Sequence, residues 1–337
     1  MKVLFLYLGK QEISPLIVRF NNSGIKVDLV ELDFGNQNIQ ETLDKVISSE
    51  YDLIFRADSD SLTEIVSNLM QHSRICSITA DTAAMISDKE KYCRLFQRLQ
   101  IPTPKIYQVF DQETDINQLD KNIGFPCIAK PIQGSASIGI RILNNMTNLK
   151  LFLLNKIDRQ YVGGRYLLQE YISGDVCSVA GHVYQGKISI DFLIDIHSDC
   201  YPYAAETGFN IPSKHRGTVE DQVFGFLDIF FKEIGLTDSP FMLDFIVDDK
   251  GDIYLIDFGA RLSKNDLLFR CYEETDYIYK LIRKLTTGEE FEVDRTISLS
   301  YSTEDGKNAR IDSDVVSKGI FRKELTGQFS SCINKRQ

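Results

Sequence analysis

The densest concentration of usable chemistry lies in residues 241–261, FMLDFIVDDKGDIYLIDFGAR. Two alternating apolar stretches flank Asp249, Lys250, Gly251 and Asp252, a turn-forming set, so the segment reads as a β-hairpin. If Asp248 faces Ile253, the same register pairs Ile246 with Leu255 and Asp244 with Asp257. Directly opposed residues on one face have Cβ atoms about 4.5–5.5 Å apart, so two ionised carboxylates there repel. A divalent cation between them reverses the sign. Gly259 and Arg261 follow Asp257 at strand spacing, which sets a guanidinium suited to phosphate or carboxylate beside the acids. An ordinary hairpin with acids on its solvent face accounts for the same residues, and a one-residue slip would separate the pair.

A second group lies in residues 125–140, a strand, a small-residue loop and a return strand. Gly134, Ser135, Ala136, Ser137 and Gly139 allow close approach of the backbone, whose N–H groups can cradle an anion. Lys130 ends the incoming strand within reach of that anion. No helix-opening Gly-Lys-Ser/Thr follows, so this is not a Walker loop, and a flexible hairpin turn is the competing reading. Residues 167–175, LLQEYISGD, carry a hydrophobic strand into a polar connector whose backbone can meet a base edge.

These groups need a scaffold. Short β-type runs at 3–8, 27–32, 51–56 and 75–78, with helical spacing at 39–49 and 62–70, predict a βαβ region with a parallel sheet. No G-x-G-x-x-G follows its first strand, which leaves a dinucleotide site unsupported. Ser87 and Glu90 form a capping box opening a helix that Ile101-Pro102-Thr103-Pro104 stops. Strands are expected at 125–131, 138–143, 166–172, 176–184 and 187–194, then a helix over 220–235 stopped by Gly235 and another over 275–285. Residues after about 290 are polar and weakly patterned.

Composition bounds the function. A chain of 337 residues that is 43% hydrophobic and 26% charged is globular and long enough for two or three packed units. Net charge of −10 and a pI near 5.0 disfavour a nucleic-acid or anionic-membrane partner. Seven cysteines without a CxxC pair, a start too short and too soon polar for a signal peptide, and no membrane-length apolar run predict reduced thiols and a cytoplasmic location. The four histidines form no HExxH pattern, and His182, inside an apolar strand, reads as structural.

The order of the motifs resembles the ATP-grasp superfamily over residues 83–290, and within it the carboxylate–amine ligases that join amino acids or peptides. That resemblance implies an α/β and α+β architecture. A parallel βαβ pre-ATP-grasp domain would span 1–82, a small lobe 83–172, a large lobe with the metal site 173–290, and a C-terminal appendage 291–337. It implies that Lys89 and Lys130 reach the phosphates of ATP and that residues 134–139, including Gly134, Ser135, Ser137 and Gly139, close over them. Gln169, Glu170, Tyr171 and Ile172 match the adenine-contacting connector, Asp244 and Asp257 the Mg²⁺ ligands (Mn²⁺ being an alternative metal), and Arg261 the arginine that steadies the phosphoryl group. Together with Lys130, Arg261 is therefore the expected catalytic group.

Two positions depart from the pattern. Gly259 stands where Asn usually completes the metal ligands, and Val176 stands where Glu usually holds the ribose, with Asp175 one residue early. Residues 201–213 resemble an acceptor-side segment of carboxylate–amine ligases, where Glu206 would meet a substrate ammonium and Lys214, His215 or Arg216 a substrate carboxylate. Asn210 occupies a position where His is common. The expected partners are therefore a small-molecule carboxylate and an amine, with no nucleic acid and no membrane. Oligomeric state is left open, a homodimer being common among similar proteins. A nucleotide-binding regulator without turnover, and a carboxylase using bicarbonate, are the alternatives.

Overall fold

Strand β1 (Lys2–Tyr7) lies between β2 (Lys26–Glu31) and β3 (Leu53–Ala57), all parallel. A parallel sheet is covered on both faces and its strands read as continuous apolar runs. Leu4, Leu6 and Ile54 enter one core, while Val3, Phe5, Leu53 and Phe55 enter a second on the opposite face. The computed structural model describes residues 1–7, 20, 23–31, 50–57, 63–75, 78–111, 113–115, 117, 119, 121–134, 137, 139–154, 164–198, 204, 207–262, 276–293, 298–304 and 308–312. The helix expected over 39–49 lies outside them. Of the strand expected over 75–78, the described residues contribute one bridge, from Ile75 to Leu53.

Helix α1 (Thr63–Met70) is followed by α2 (Ala80–Ile86), which the sequence reading did not anticipate, and by α3 (Lys89–Arg98). The cap of α3 corrects the expectation at Ser87. Asp88 is the N-cap, accepting from the Lys91 N–H at 3.1 Å. The Ser87 hydroxyl donates instead to Glu64 at 2.7 Å, and its N–H closes α2 on Ala83. Glu90, expected to reach back to the cap, pairs with Arg94 at 2.9 Å and Arg165 at 2.7 Å.

A four-stranded antiparallel sheet in the order β4-β7-β5-β6 comprises β4 (Ile106–Phe110), β5 (Cys127–Pro131), β6 (Arg141–Leu143) and β7 (Tyr166–Glu170). Helix α4 (Met146–Leu154) packs Leu149, Phe152 and Leu153 into its core.

A seven-stranded sheet in the order β12-β11-β8-β9-β10-β13-β14 makes up most of the rest. Its strands are β8 (Asp175–Tyr184), β9 (Lys187–His197), β10 (Gly208–Ile211), β11 (Ser239–Val247), β12 (Ile253–Gly259), β13 (Leu299–Glu304) and β14 (Asn308–Asp312). Helix α5 (Glu220–Ile234) ends, as expected, at a left-handed Gly235 with φ +67°. Its Val223, Leu227, Phe230 and Phe231 join one core with Phe241, Leu243, Phe245 and Val247 of β11. Strand alternation then turns Met242, Asp244 and Ile246 to the other face, which borders a cavity. Lower on that face, Ala180, Phe192 and Ile194 share a core with α6 (Tyr277–Thr287) and the N-terminal sheet. Among the described residues, no helix is long and apolar enough to cross a membrane.

Candidate active site

The acid pair is in register, Asp244 opposite Asp257, but the hairpin reaches it by a different route from the one expected. Next to the turn, Val247 faces Ile253, Ile246 faces Tyr254 and Phe245 faces Leu255. The expected Asp248–Ile253 and Ile246–Leu255 pairs are therefore off by one. A bulge between Asp244 and Phe245 inserts Ile256 as an extra residue and restores the register at the acids. The bulge has a chemical use: the Ile256 carbonyl accepts from the Lys130 ammonium at 2.8 Å.

Helix α3 delivers the second lysine. Rings of Tyr92, Phe96, Phe230 and Phe258 contact one another in series, at centroid distances of 5.7, 4.8 and 5.0 Å, and pin α3 against β12 beside Asp257. The Lys89 ammonium contacts both oxygens of Asp257, at 2.7 and 2.9 Å, and the Tyr92 hydroxyl donates to the same carboxylate. Burial alone would raise the Asp257 pKa. The charges of Lys89 and Lys130, with the hydrogen bonds from Lys89 and Tyr92, outweigh burial and hold it below the usual carboxylate value. Burial moves Lys130 in the opposite sense for a cation, below the ordinary lysine value, with Asp257 and Asp244 pulling it back up. Cys93, fully buried behind these groups, has its thiol raised by burial, so it adds no negative charge beside Asp257.

The cavity, about 400 Å³, lies between the four-stranded and seven-stranded sheets. Lys130, Asp244, Asp257, Gly259 and Arg261 border it at one end and Gln169, Glu170, Tyr171 and Ile172 elsewhere. Arg261 is buried and donates to the Leu262 carbonyl at 3.2 Å. Lys89 stands behind Asp257 rather than among the lining residues. The Gln169 amide donates to the Pro104 carbonyl at 3.3 Å. Of the glycine–serine loop, Ser137 lines the cavity. Gly134 and Gly139 adopt φ +136° and +81°, and a Cβ on Gly139 would sit 2.8 Å from the Pro131 ring. Ser135 lies outside the described residues.

Asp175 borders the cavity, yet its carboxylate is held by Lys214 at 2.8 Å and His215 at 2.9 Å. The hydrogen bond from Lys214 leads the effects that lower its pKa. Glu206 lies outside the described residues. Arg216 is exposed in the turn after Ser213 and is not among the lining residues. Asn210 contacts the His197 ring at 2.8 Å. The sequence reading missed Tyr92 and Asp195. Asp195 is buried and accepts from the Ser213 hydroxyl and from the Lys214 N–H at 3.0 Å, which fixes the turn bearing Lys214 and His215. His182 is structural as expected, bound to Asp191 at 2.7 Å. Cys93, Cys127 and Cys177 are free and buried, and the other four cysteines lie outside the described residues.

Among the described residues no cluster of three or more His, Cys, Asp or Glu side chains could hold a metal alone. Two opposed carboxylates suit a hard divalent cation that takes its remaining oxygens from a phosphate chain and water, the arrangement Mg²⁺ favours. The donor set therefore fits a metal brought with a nucleotide.

An ATP-grasp domain model matches residues 123–266. D-alanine–D-alanine ligase of Pseudomonas putida (strain GB-1) is 26% identical over 251 residues, which cover 71% of this chain and 75% of that protein. L-amino acid ligase from Bacillus licheniformis superposes with a TM-score of 0.72 at 14% identity, over 90% of this chain and 79% of that one. The biotin carboxylase domain of Hydrogenobacter thermophilus 2-oxoglutarate carboxylase, solved with MgADP and bicarbonate, gives 0.69 at 18% identity over 89% and 74%. At such identities the likeness to the solved structures is one of fold.

Proposed function

We propose, from the premise that this chain is an ATP-grasp protein and an ADP-forming carbon–nitrogen ligase, that it joins two amino acids or small peptides. The observation that carries the reading is the direct pairing of Asp244 with Asp257 on a cavity bordered also by Lys130 and Arg261. The names of the relatives support the substrate class: one joins D-alanine to D-alanine and one is an L-amino acid ligase.

The adenine of ATP lies along the connector from Gln169 to Ile172, and the phosphates extend to Lys130 and Arg261, with Lys89 drawn from Asp257 to meet them. Asp244 and Asp257 would hold Mg²⁺, or Mn²⁺ in its place, which when bound would neutralise charge between two anionic reactants. A substrate carboxylate oxygen attacks the γ-phosphorus, the bond to the β-phosphate oxygen breaks, and ADP leaves. Lys130 and Arg261 stabilise the charge that develops on the transferred group. The amine, as its free base, then attacks the acyl carbon, the bond to phosphate breaks, and the nitrogen's proton passes to the departing phosphate. Gly134, Ser135, Ser137 and Gly139 belong to the loop that keeps water from the acyl phosphate. Glu206 and Arg216 are the candidates to meet the ammonium and carboxylate of the amine substrate.

An ADP-release screen over pairs of amino acids with Mg²⁺ tests this. ADP should appear only when both partners are present, and the product mass should equal their sum less one water. AMP as the product would overturn the acyl-phosphate route.

A further inference from the structure

We infer that Val176 occupies the sugar subsite of this nucleotide site, that no acid among the described residues serves it, and that binding is nearly indifferent to the ribose 2′-hydroxyl. The inference rests on the nucleotide reading above. A nucleoside triphosphate that spans from the connector to Lys130 and the acid pair must place its sugar between them. There the seven-stranded sheet presents Ile246, Val176 and Ile196 in one cross-strand row, all bordering the cavity. From the facing sheet come Ile128 and Ile142. The middle of the cavity is thus lined by branched apolar side chains on both sides.

Four carboxylates among the described residues border the cavity, and none stands in the row of Ile246, Val176 and Ile196. Asp244 and Asp257 lie at the phosphate end. Glu170 accepts the Lys105 N–H at 3.4 Å. Asp175 immediately precedes Val176, so strand alternation puts it on the opposite face, in register with the core residue Val247. There Lys214 and His215 hold its carboxylate. A slip that would exchange Asp175 for Val176 is blocked at the preceding residue. A Cβ on Gly174 would lie 2.3 Å from the Val247 carbonyl, so the chain is seated closely against β11. The polar rim group His197 is engaged with Asn210.

A hydrogen bond to a charged acceptor typically changes an equilibrium by about tenfold or more. Without one, removing the 2′-hydroxyl should alter affinity little. Calorimetric titration of the protein with ATP and with 2′-deoxy-ATP, each with Mg²⁺, reads this directly. The two dissociation constants should agree within about fivefold, and Val176→Glu should widen their ratio in favour of ATP by about tenfold. If ATP binds and the deoxy form binds more than about fivefold weaker to the wild type, this inference fails while the nucleotide reading stands. No binding of ATP would overturn both. A folded Val176→Glu that leaves the ratio unchanged removes Val176 from the sugar subsite and overturns the inference. Should that variant fail to fold, the wild-type comparison decides alone.

Discussion

Asp191 and Asp257 sit on the same seven-stranded sheet, and their partners differ in kind. Asp191 is met by the His182 ring at 2.7 Å, the Tyr277 hydroxyl at 2.6 Å and the Ser189 hydroxyl at 2.6 Å, all inside the protein. That cluster fastens α6 to the sheet. Asp257 is met by a lysine ammonium and a tyrosine hydroxyl at the edge of a cavity, and a third of its side chain is exposed. An acid saturated by internal donors has nowhere to send them and holds the fold. An acid paired with a lysine ammonium beside open space can exchange that partner for a metal while the lysine turns to a phosphate. The number of acids on a strand therefore says little; the kind of donor opposite each one separates structure from chemistry.

The sharpest way to break this contrast is at Asp191. Asp191→Ala leaves His182 and Tyr277 without their buried acceptor and should cost about 3–5 kcal/mol in urea unfolding, while the molecules that remain folded bind ATP as before. Asp244→Asn should do the reverse. Turnover in the ADP-release assay should fall by about 10²–10³ while the melting temperature stays close to the wild type, since the residue lies on the cavity face. Smaller again is Lys89→Met. It should weaken ATP by about tenfold through loss of a charge-assisted contact, yet strengthen binding of Mg²⁺ alone, because the cation then meets no competing ammonium on Asp257.

The smallest effect is a linkage to pH. The pKa of Asp257 is lower in the folded protein than the reference carboxylate value of 3.8, so folding favours its ionised form. Its contribution to stability is full above about pH 4 and is lost as the pH falls through the lower folded value. Thermal melts across that acid range should show the loss, and Lys89→Met should flatten it. An unchanged slope would mean that the ion pair adds no stability.

The site was legible in its residue types, two alternating strands about a turn with one acid on each. Plain alternation, however, would place Asp257 with Ile253 and Leu255, which face the core, and the extra residue Ile256 is what returns it to the face of Asp244. The bulge at Ile256 was not legible, since nothing in Leu255-Ile256-Asp257 marks an extra residue. The expected pairing was right at the acids and wrong beside the turn. The Ser87 cap failed for a different reason. Asp88 competes for the same role, and the choice was made by Glu64, 23 positions earlier, which accepts the Ser87 hydroxyl. Strands β13 and β14 were passed over although Leu299 and Tyr301 alternate with Ser300 and Ser302, because both are short, carry few large apolar residues and join the sheet through β10 at its far side. Asp195 was passed over because its importance lies in bonds to Ser213 and Lys214, 18 and 19 residues away. The ATP-grasp resemblance supplied the order of the motifs, and long-range contacts of this kind decided the details.

Asp244 and Asp257 are proposed to grip a magnesium-bound triphosphate. Calorimetric titration of ATP with and without Mg²⁺ into the wild type and Asp257→Ala tests this most directly. Mg²⁺ should tighten ATP binding markedly in the wild type and have no effect in the variant. A variant that binds ATP with undiminished affinity and the same dependence on Mg²⁺ would show that the acid pair does not hold the metal.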